Sequence, residues 1–367
     1  MPSTVLNRAA FVVLATLLNS AASYAATVVV GNCNGNKVKY STIQAAVDVA
    51  NANDTVSVCP GTYAEQVVIT KPLTLKGLIN GTSGATVITV PATGLVPNVT
   101  MASGAILAAQ VVVTNTLGVT LTNLTIDGSS GPCATDVGAA LTAGIALNNL
   151  LTADSKLATT VKNAVVRNEL GGCGLSAGIL SEQSVLLIDS NSIHTVEGDA
   201  VHLVGGTGTI SNNTIESCSL AGVSLTNVSA ASVKTNTTSS NRFGVSLNAT
   251  SNITVSGNTM GPYVSYGLYS TNASGSIVTQ NGISATGAGI YLNGSMGDKV
   301  TGNTVVRAQA IGIVDIQSRG GNLIKSNTVN ESPYGLSDVF GTGSAMGDVL
   351  SSNVFLNVTT TTTTIPY

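Results

Sequence analysis

The chain has 367 residues, 43% of them hydrophobic and only 8% charged, with 40 glycines, no tryptophan and a formal net charge of −3. The hydrophobic share excludes a disordered chain, and the absence of any basic cluster removes the case for a nucleic-acid partner. So little charge also argues against a mainly helical protein, which would cover its outside with Glu and Lys; abundant Gly, Asn, Ser and Thr point to many turns and a neutral polar surface.

In chain order, the first 25 residues read as an export signal. Arg8 gives a weakly positive start, Ala9–Leu18 is apolar, and Ser23-Tyr24-Ala25 places small residues where a signal peptidase reads them, so cleavage is expected after Ala25. The apolar run is too short to cross a bilayer, and no later segment reaches the roughly 18 apolar residues a span needs. A chain secreted or displayed on the cell surface is therefore expected, without a membrane span after cleavage. Its cysteines are Cys33, Cys59, Cys133, Cys173 and Cys218. None forms a Cys-x-x-Cys pair and no His lies at ligand spacing, so no metal site is expected from them. Export permits disulfides; the expected pairs are Cys33 with Cys59 and Cys133 with Cys173, leaving Cys218 free.

Ser41-Thr42-Ile43-Gln44 reads as a capping box, and Ile43, Val47 and Ala50 follow at helical spacing. A short amphipathic helix over 42–52 is predicted, plugging an end that would otherwise expose core residues and unpaired strand edges. Thr55–Val58 and Val67–Leu75 are the first predicted strands. Gly118-Val119-Thr120-Leu121 and Gly144-Ile145-Ala146-Leu147 look like later strand starts, separated by a loop over 128–137 and followed by an insertion over 150–160.

From residue 178 the chain repeats. A small residue before an apolar-x-apolar strand recurs at Gly178, Ala200, Gly222, Gly244, Gly267, Gly289, Gly312 and Gly335, in steps of 22 or 23. A second series runs in phase: Asn191, Asn213, Asn236, Asn258, Asn281, Asn303 and Asn327, with Asn353 closing it. One such unit cannot bury its apolar face alone, whereas stacked units bury a continuous core. Each Asn is expected to bond its amide to the next coil and to supply the left-handed turn. The reading is an all-β chain, a single-stranded right-handed parallel β-helix with an N-terminal capping α-helix. It is one unit over 26–357, regular from 178 onward, with a Thr-rich segment at 358–367 read as an exposed tail or the last edge strand. Asp315 and Asp338 fall on inward positions, for which a slip of register is the preferred reading over an opened core.

Thr42-Ile43-Gln44-Ala45-Ala46, Pro60-Gly61-Thr62-Tyr63 with Glu65, and Leu73-Thr74-Leu75-Lys76-Gly77 resemble the entry to the pectin-lyase-like superfamily, and the repeats resemble those of its secreted bacterial β-helix proteins. The resemblance spans roughly residues 27–357 and implies that solenoid fold. It also implies lyases, hydrolases, esterases and epimerases of acidic polysaccharides, or binding and adhesive proteins; the fold does not choose among them. The motifs of the esterases after Gly61-Thr62-Tyr63-Ala64-Glu65, the Asp-Asp pair of polygalacturonases, the Ca²⁺ carboxylates with an Arg base of pectate lyases and the Asp-Pro-His of alginate epimerases are not found. The preferred function is thus binding of a polysaccharide or another surface without a recognisable catalytic motif. The alternative is a polysaccharide lyase, hydrolase or epimerase acting on an acidic glycan such as pectin or alginate. No cofactor is expected, and Ca²⁺ enters only under the lyase alternative; the oligomeric state is left open.

One patch carries chemistry. Asp189, His194, Glu197, Asp199 and His202 are close in sequence, and stacking sets His194 beside Glu216; a carboxylate beside a His suits acid–base work near neutral pH. His202 heads an outward column continued by Ser224, Ser246, Tyr269 and Tyr291, whose rings suit a sugar. Turn capping, an exposed ion pair and plain ladder stacking explain the same residues equally well.

Overall fold

The computed structural model describes residues 25–33, 40–79, 84–129, 141–151, 154–169, 176–262, 265–285, 287–340 and 348–366. The expected export signal over 1–25, except Ala25, and the expected Cys133–Cys173 pairing lie outside these.

The described chain coils into a right-handed parallel β-helix with three strand faces per turn. The glycine-led face holds strands such as Gly198–Val204, Ala221–Thr226 and Phe243–Asn248. A second face of three-residue strands follows, such as Ser232–Lys234 and Thr254–Ser256. The third, Asn-led face contains twelve strands, each starting after a turn. The long strand Ser176–Asp189 runs from the glycine-led face into the second face and joins the two. Pairing is parallel throughout except where Val99–Thr100 folds back on Ile106–Leu107.

Alternation along each short strand explains the core. In Gly244-Val245-Ser246-Leu247, Val245 and Leu247 are buried and Ser246 points out. Leu268 and Ile290 continue the Val245 column, while the Leu247 column passes through the buried Ser270 to Leu292. Glycine opens these strands because the chain passes close to its neighbours there. A Cβ on Gly289 would sit 2.4 Å from a Val305 methyl and 2.5 Å from the Gly312 carbonyl oxygen.

The Asn series is a buried ladder. The backbone N–H and the side-chain amide of each Asn both donate to the Oδ1 of the next: Asn236 reaches Asn258 at 2.9 and 3.0 Å, and Asn258 reaches Asn281 at 3.0 and 2.9 Å. The same amide also donates back to a carbonyl of the preceding turn, as Asn258 does to Val233. The ladder runs unbroken from Asn191 to Asn353. The left-handed residue is not the Asn itself but the one before it: Ser190, Asn212, Thr235, Gln280, Ser326 and Ser352 all have φ between 53° and 57°. A left-handed Ser or Thr is strained; the hydrogen bonds of the Asn that follows hold it there.

The N-terminal helix is Ile43–Val49, shorter than the predicted 42–52. Ala50 is already extended, and Asp54 ties the following turn by accepting from the N–H groups of Asn51 and Ala26. The expected capping box does not form. Thr42 caps through its hydroxyl to Ala45 N–H, and the distant Glu65 carboxylate takes the N–H groups of Ile43 and Gln44 at 2.8 and 2.9 Å. That frees the Gln44 amide to bond both backbone groups of Val68. Ile43, Ala46 and Val47 are buried against the first coil. The first strand is Thr27–Val30, ahead of Thr55–Val58, and Cys33 is bonded to Cys59 beside it. The expected strand over 67–75 splits into Val67–Ile69 and Thr74–Gly77 around Lys71-Pro72.

At the other end, the Thr run forms the strand Thr360–Pro366, paired in register with Tyr334–Phe340. β-branched Thr suits a pleated, half-buried edge, so the coil stack continues past residue 357. Asp315 and Asp338 are in register with Leu292 and each other. The register does not slip there: the core itself accepts the two carboxylates.

Candidate functional site

The six residues of the sequence patch fall on three faces. Asp189 ends a strand of the second face, where Ser211 Oγ and Asn212 Nδ2 donate to one oxygen at 2.6 and 2.8 Å; these hydrogen bonds, the Ser211 bond foremost, hold its carboxyl below the usual range. His194 and Glu216 are neighbours on the Asn-led face, with Arg167 on the other side of His194. No ion pair joins His194 to Glu216 among the described residues; its Nδ1 lies 3.2 Å from the Thr195 hydroxyl. Glu197 is exposed at the turn between faces.

Of the six, only Asp199 and His202 bring their charged groups into contact, both outward on Gly198–Val204. Asp199 Oδ2 lies 3.2 Å from His202 Nδ1, its Oδ1 accepts the Ala221 N–H at 2.8 Å, and His202 Nε2 lies 3.4 Å from the Thr226 hydroxyl. Burial pushes the Asp199 carboxyl up, against the pull of His202. The pair lines a cleft of about 340 Å³ with Leu141, Ala177, Leu180 and Glu182. Nearby, the segment around Met101 crosses the outside of the glycine-led face and builds a second apolar layer with Leu107, Val112, Ala146 and Leu180. It is fastened where the Ser103 N–H and hydroxyl both donate to Glu182, at 2.9 Å each.

The column expected from His202 is present: Ser224, Ser246, Tyr269 and Tyr291 stack in register. The sequence reading missed the second column beside it, Ala221, Phe243, Tyr266 and Ala288, which begins next to Asp199, the acceptor of the Ala221 N–H. Its sign was an aromatic residue directly before the strand-opening glycine, in Phe243-Gly244 and Tyr266-Gly267. The four rings form one block. Phe243 lies parallel to Tyr266 with centroids 5.8 Å apart, Tyr269 parallel to Tyr291 at 5.2 Å, and Tyr266 bridges the pairs at 5.0 and 4.9 Å. The Arg242 guanidinium sits 5.1 Å from the Phe243 ring centre. Rings stacked on one another along the axis turn their edges and hydroxyls outward. Burial, with Tyr266 and Tyr269 adding to it, keeps the Tyr291 hydroxyl protonated well into the alkaline range.

A third group lies inside the C-terminal coils. Asp315, Asp338 and Asp348 each offer a carboxylate oxygen within 4.8 Å of the others. Burial pushes Asp315 up to about 7 and Asp338 up to about 6.

Residues 147–338, over half of the chain, match the family described as periplasmic copper-binding protein (NosD). The chain belongs to the NosD family. Among solved structures it is similar to the A-module of a mannuronan C-5 epimerase from Azotobacter vinelandii, at 17% identity and a TM-score of 0.59 over 89% of this chain and 94% of that one. It is also similar to a DFA-IIIase of Arthrobacter chlorophenolicus A6, at 15% identity and a TM-score of 0.60 over 85% and 91%. A GH136 lacto-N-biosidase of Eubacterium ramulus follows at 12% identity, with a TM-score of 0.56 over 90% and 68%. At such identities the likeness establishes the fold. No curated protein sequence matches the chain.

The NosD description names copper, and the described residues do not fit it. Copper is held by imidazole, thiolate and thioether groups. His194 and His202 are on different faces, Met101 and Met260 are core residues, and Met296 is exposed. Cys218 is buried with its thiol pushed up to about 12, which keeps it from the thiolate form a metal needs. The Asp triad, the one group among the described residues with three candidate ligands, is all oxygen.

Proposed function

We propose that this NosD-family chain is an exported glycan-binding β-helix that lays a polysaccharide along its glycine-led face. The observation that carries the reading is the pair of parallel columns that runs from the Asp199–His202 cleft to the block of Phe243, Tyr266, Tyr269 and Tyr291. From Asp199 to the Tyr291 coil is four steps, about 19 Å at the ~4.8 Å spacing of stacked strands. Such a surface offers a chain-like ligand repeated contacts. Tyr rings present an apolar body with a polar tip, which matches a sugar's mixture of C–H and hydroxyl groups. Ser246 supplies a further hydroxyl, the buried Ser224 backs the Asp199 carboxylate, and Arg242 is placed to meet a carboxylate on an acidic sugar. The Cys33–Cys59 disulfide supports a site of action outside the cytoplasm, and no helix among the described residues is long and apolar enough to cross a membrane.

The test is a glycan array of the mature chain covering neutral, pectic and alginate polymers. The expected result is selective retention of one polymer class, lost in a Tyr269→Ala/Tyr291→Ala double variant. Failure to bind any class, or equal binding by the variant, contradicts the reading.

A second reading rests on the Asp199–His202 pair. A His whose Nδ1 faces a carboxylate suits general acid–base chemistry, and the cleft gives it a partly enclosed setting. Incubation with polygalacturonate and alginate, with and without Ca²⁺, followed by ultraviolet absorbance of unsaturated products and assay of reducing ends, separates the readings. Turnover abolished by His202→Ala establishes catalysis; no turnover on a broad panel leaves binding.

A further inference from the structure

The interior of the last coils is polar where the earlier coils are aliphatic. The inward column of the glycine-led face reads Leu203, Leu225, Leu247, Ser270, Leu292, Asp315 and Asp338. Asp315 and Asp338 are 0% and 1% exposed. A ladder of side-chain caps runs beside them: the N–H groups of Ser276, Asp298 and Asn322 donate in turn to Asp298, Asn322 and Asp348, at 2.8, 2.9 and 2.7 Å.

These bonds use one oxygen of Asp348 and leave its buried Oδ2 without a donor. Asn322 Nδ2 donates to Asp315 Oδ2 at 2.9 Å and to the hydroxyls of Ser295 and Ser318, leaving Asp315 Oδ1 without one. Asp338 makes no hydrogen bond among the described residues, and its Oδ1 is fully buried. No described Lys, Arg or His forms an ion pair with the three; the nearby Arg319 Nε is spent on the Gly294 carbonyl. Three carboxylates, each with one buried oxygen that lacks a donor, thus lie together in a water-poor interior. Buried charge of one sign needs a counter-charge or protons.

We propose that Asp315, Asp338 and Asp348 hold a hard divalent cation, Ca²⁺, inside the C-terminal coils. An all-oxygen donor set selects hard ions over copper or zinc. Ca²⁺ binds oxygens at about 2.3–2.6 Å, so donors on opposite sides of it lie about 5 Å apart, whereas Mg²⁺ demands a tighter shell. The triad's oxygens, within 4.8 Å of one another, are close enough to share one ion, and Mg²⁺, which usually keeps several waters, is less suited than Ca²⁺ to an enclosed all-protein site. The site is on the inside of the solenoid, so its role is to lock the last coils together, independent of what the outer face binds.

The full chain, stripped with EDTA and exchanged into chelator-free buffer at pH 7.5, is titrated with CaCl₂ by calorimetry and melted with and without the ion. Saturable one-to-one binding and a higher melting temperature are expected, with Mg²⁺ giving a smaller shift. The Asp315→Asn/Asp338→Asn variant is expected to melt higher than the wild type in EDTA, because two uncompensated charges are gone. It should lose the response to Ca²⁺, weakening binding by roughly tenfold or more. Should that variant fail to fold, Asp348→Asn keeps the acceptor for Asn322 and answers the same question. No saturable Ca²⁺ heat, an equal response to Mg²⁺, or undiminished binding by the folded variant overturns the proposal. None of these outcomes bears on glycan retention.

Discussion

Single residues show how the solenoid manages the few charges it buries. Glu169 is nearly inaccessible, and burial, with Asp127 adding to it, pushes its carboxyl well above the ordinary range. A raised folded-state value means the folded chain takes up the proton more readily than the unfolded one. The stability this brings is complete below the ordinary carboxylate range and is lost as pH rises through the raised value. Glu169→Gln should therefore match the wild type at acid pH and melt higher at pH 8, a gap that differential scanning calorimetry at several pH values will show; a gap that does not grow with pH contradicts it. Cys218 gives a second expectation. Its buried, strongly protonated thiol should resist iodoacetamide at pH 8 in the folded chain and react once unfolded, as peptide mapping by mass spectrometry would reveal; rapid native labelling would contradict it. At this scale the sequence was only partly legible. The proximity of Asp199 and His202 followed from local spacing on one strand. That Asp189 and His194 point away from them did not, because a turn between residues four or five apart is enough to change face.

At the scale of elements, periodicity was the strongest signal, and it located both the glycine-led strands and the Asn ladder. What it did not reveal was how the turn is made. The Asn was expected to be left-handed, but it sits just after the left-handed residue and stabilises it through buried hydrogen bonds. Substituting Asn258 with Ala would leave the Asn236 N–H and one amide hydrogen of Asn236 without partners and remove the amide bond to the Val233 carbonyl. At about 1–3 kcal/mol for each unsatisfied buried group, a loss of about 2 kcal/mol or more is expected by chemical denaturation. A loss below about 1 kcal/mol would mean the ladder is ornamental. The helix start was misread for a related reason. A capping box is a local pattern, while Glu65, which caps the helix in fact, comes from the next coil. Likewise, Asp315 and Asp338 looked like a register error because an inward Asp conflicts with an apolar core; the register holds, and a cation held between the three carboxylates would supply the counter-charge they need.

As a whole, the molecule is a one-dimensional stack in which each coil is stabilised by its neighbours. Its two ends are finished differently: the helix Ile43–Val49 with Cys33–Cys59 at one, the paired strand Thr360–Pro366, next to the proposed cation site, at the other. Reducing the disulfide, which spans 26 residues, should raise hydrogen exchange in the first coils and leave residues 178–340 protected; uniform loss of protection would show that the stack is not modular. Between the ends, the same regularity that fixes the fold places side chains of successive coils in straight columns. One outward pair of columns is aromatic. On the proposed function, this face holds a glycan along the axis. The most direct measurement is calorimetric titration with an oligosaccharide series of increasing length from the polymer the array selects. Affinity is predicted to rise until the ligand reaches from Asp199 to Tyr291 and then level off, and to fall at every length in Tyr269→Ala/Tyr291→Ala. Affinity independent of length, or unchanged in the double variant, would contradict it.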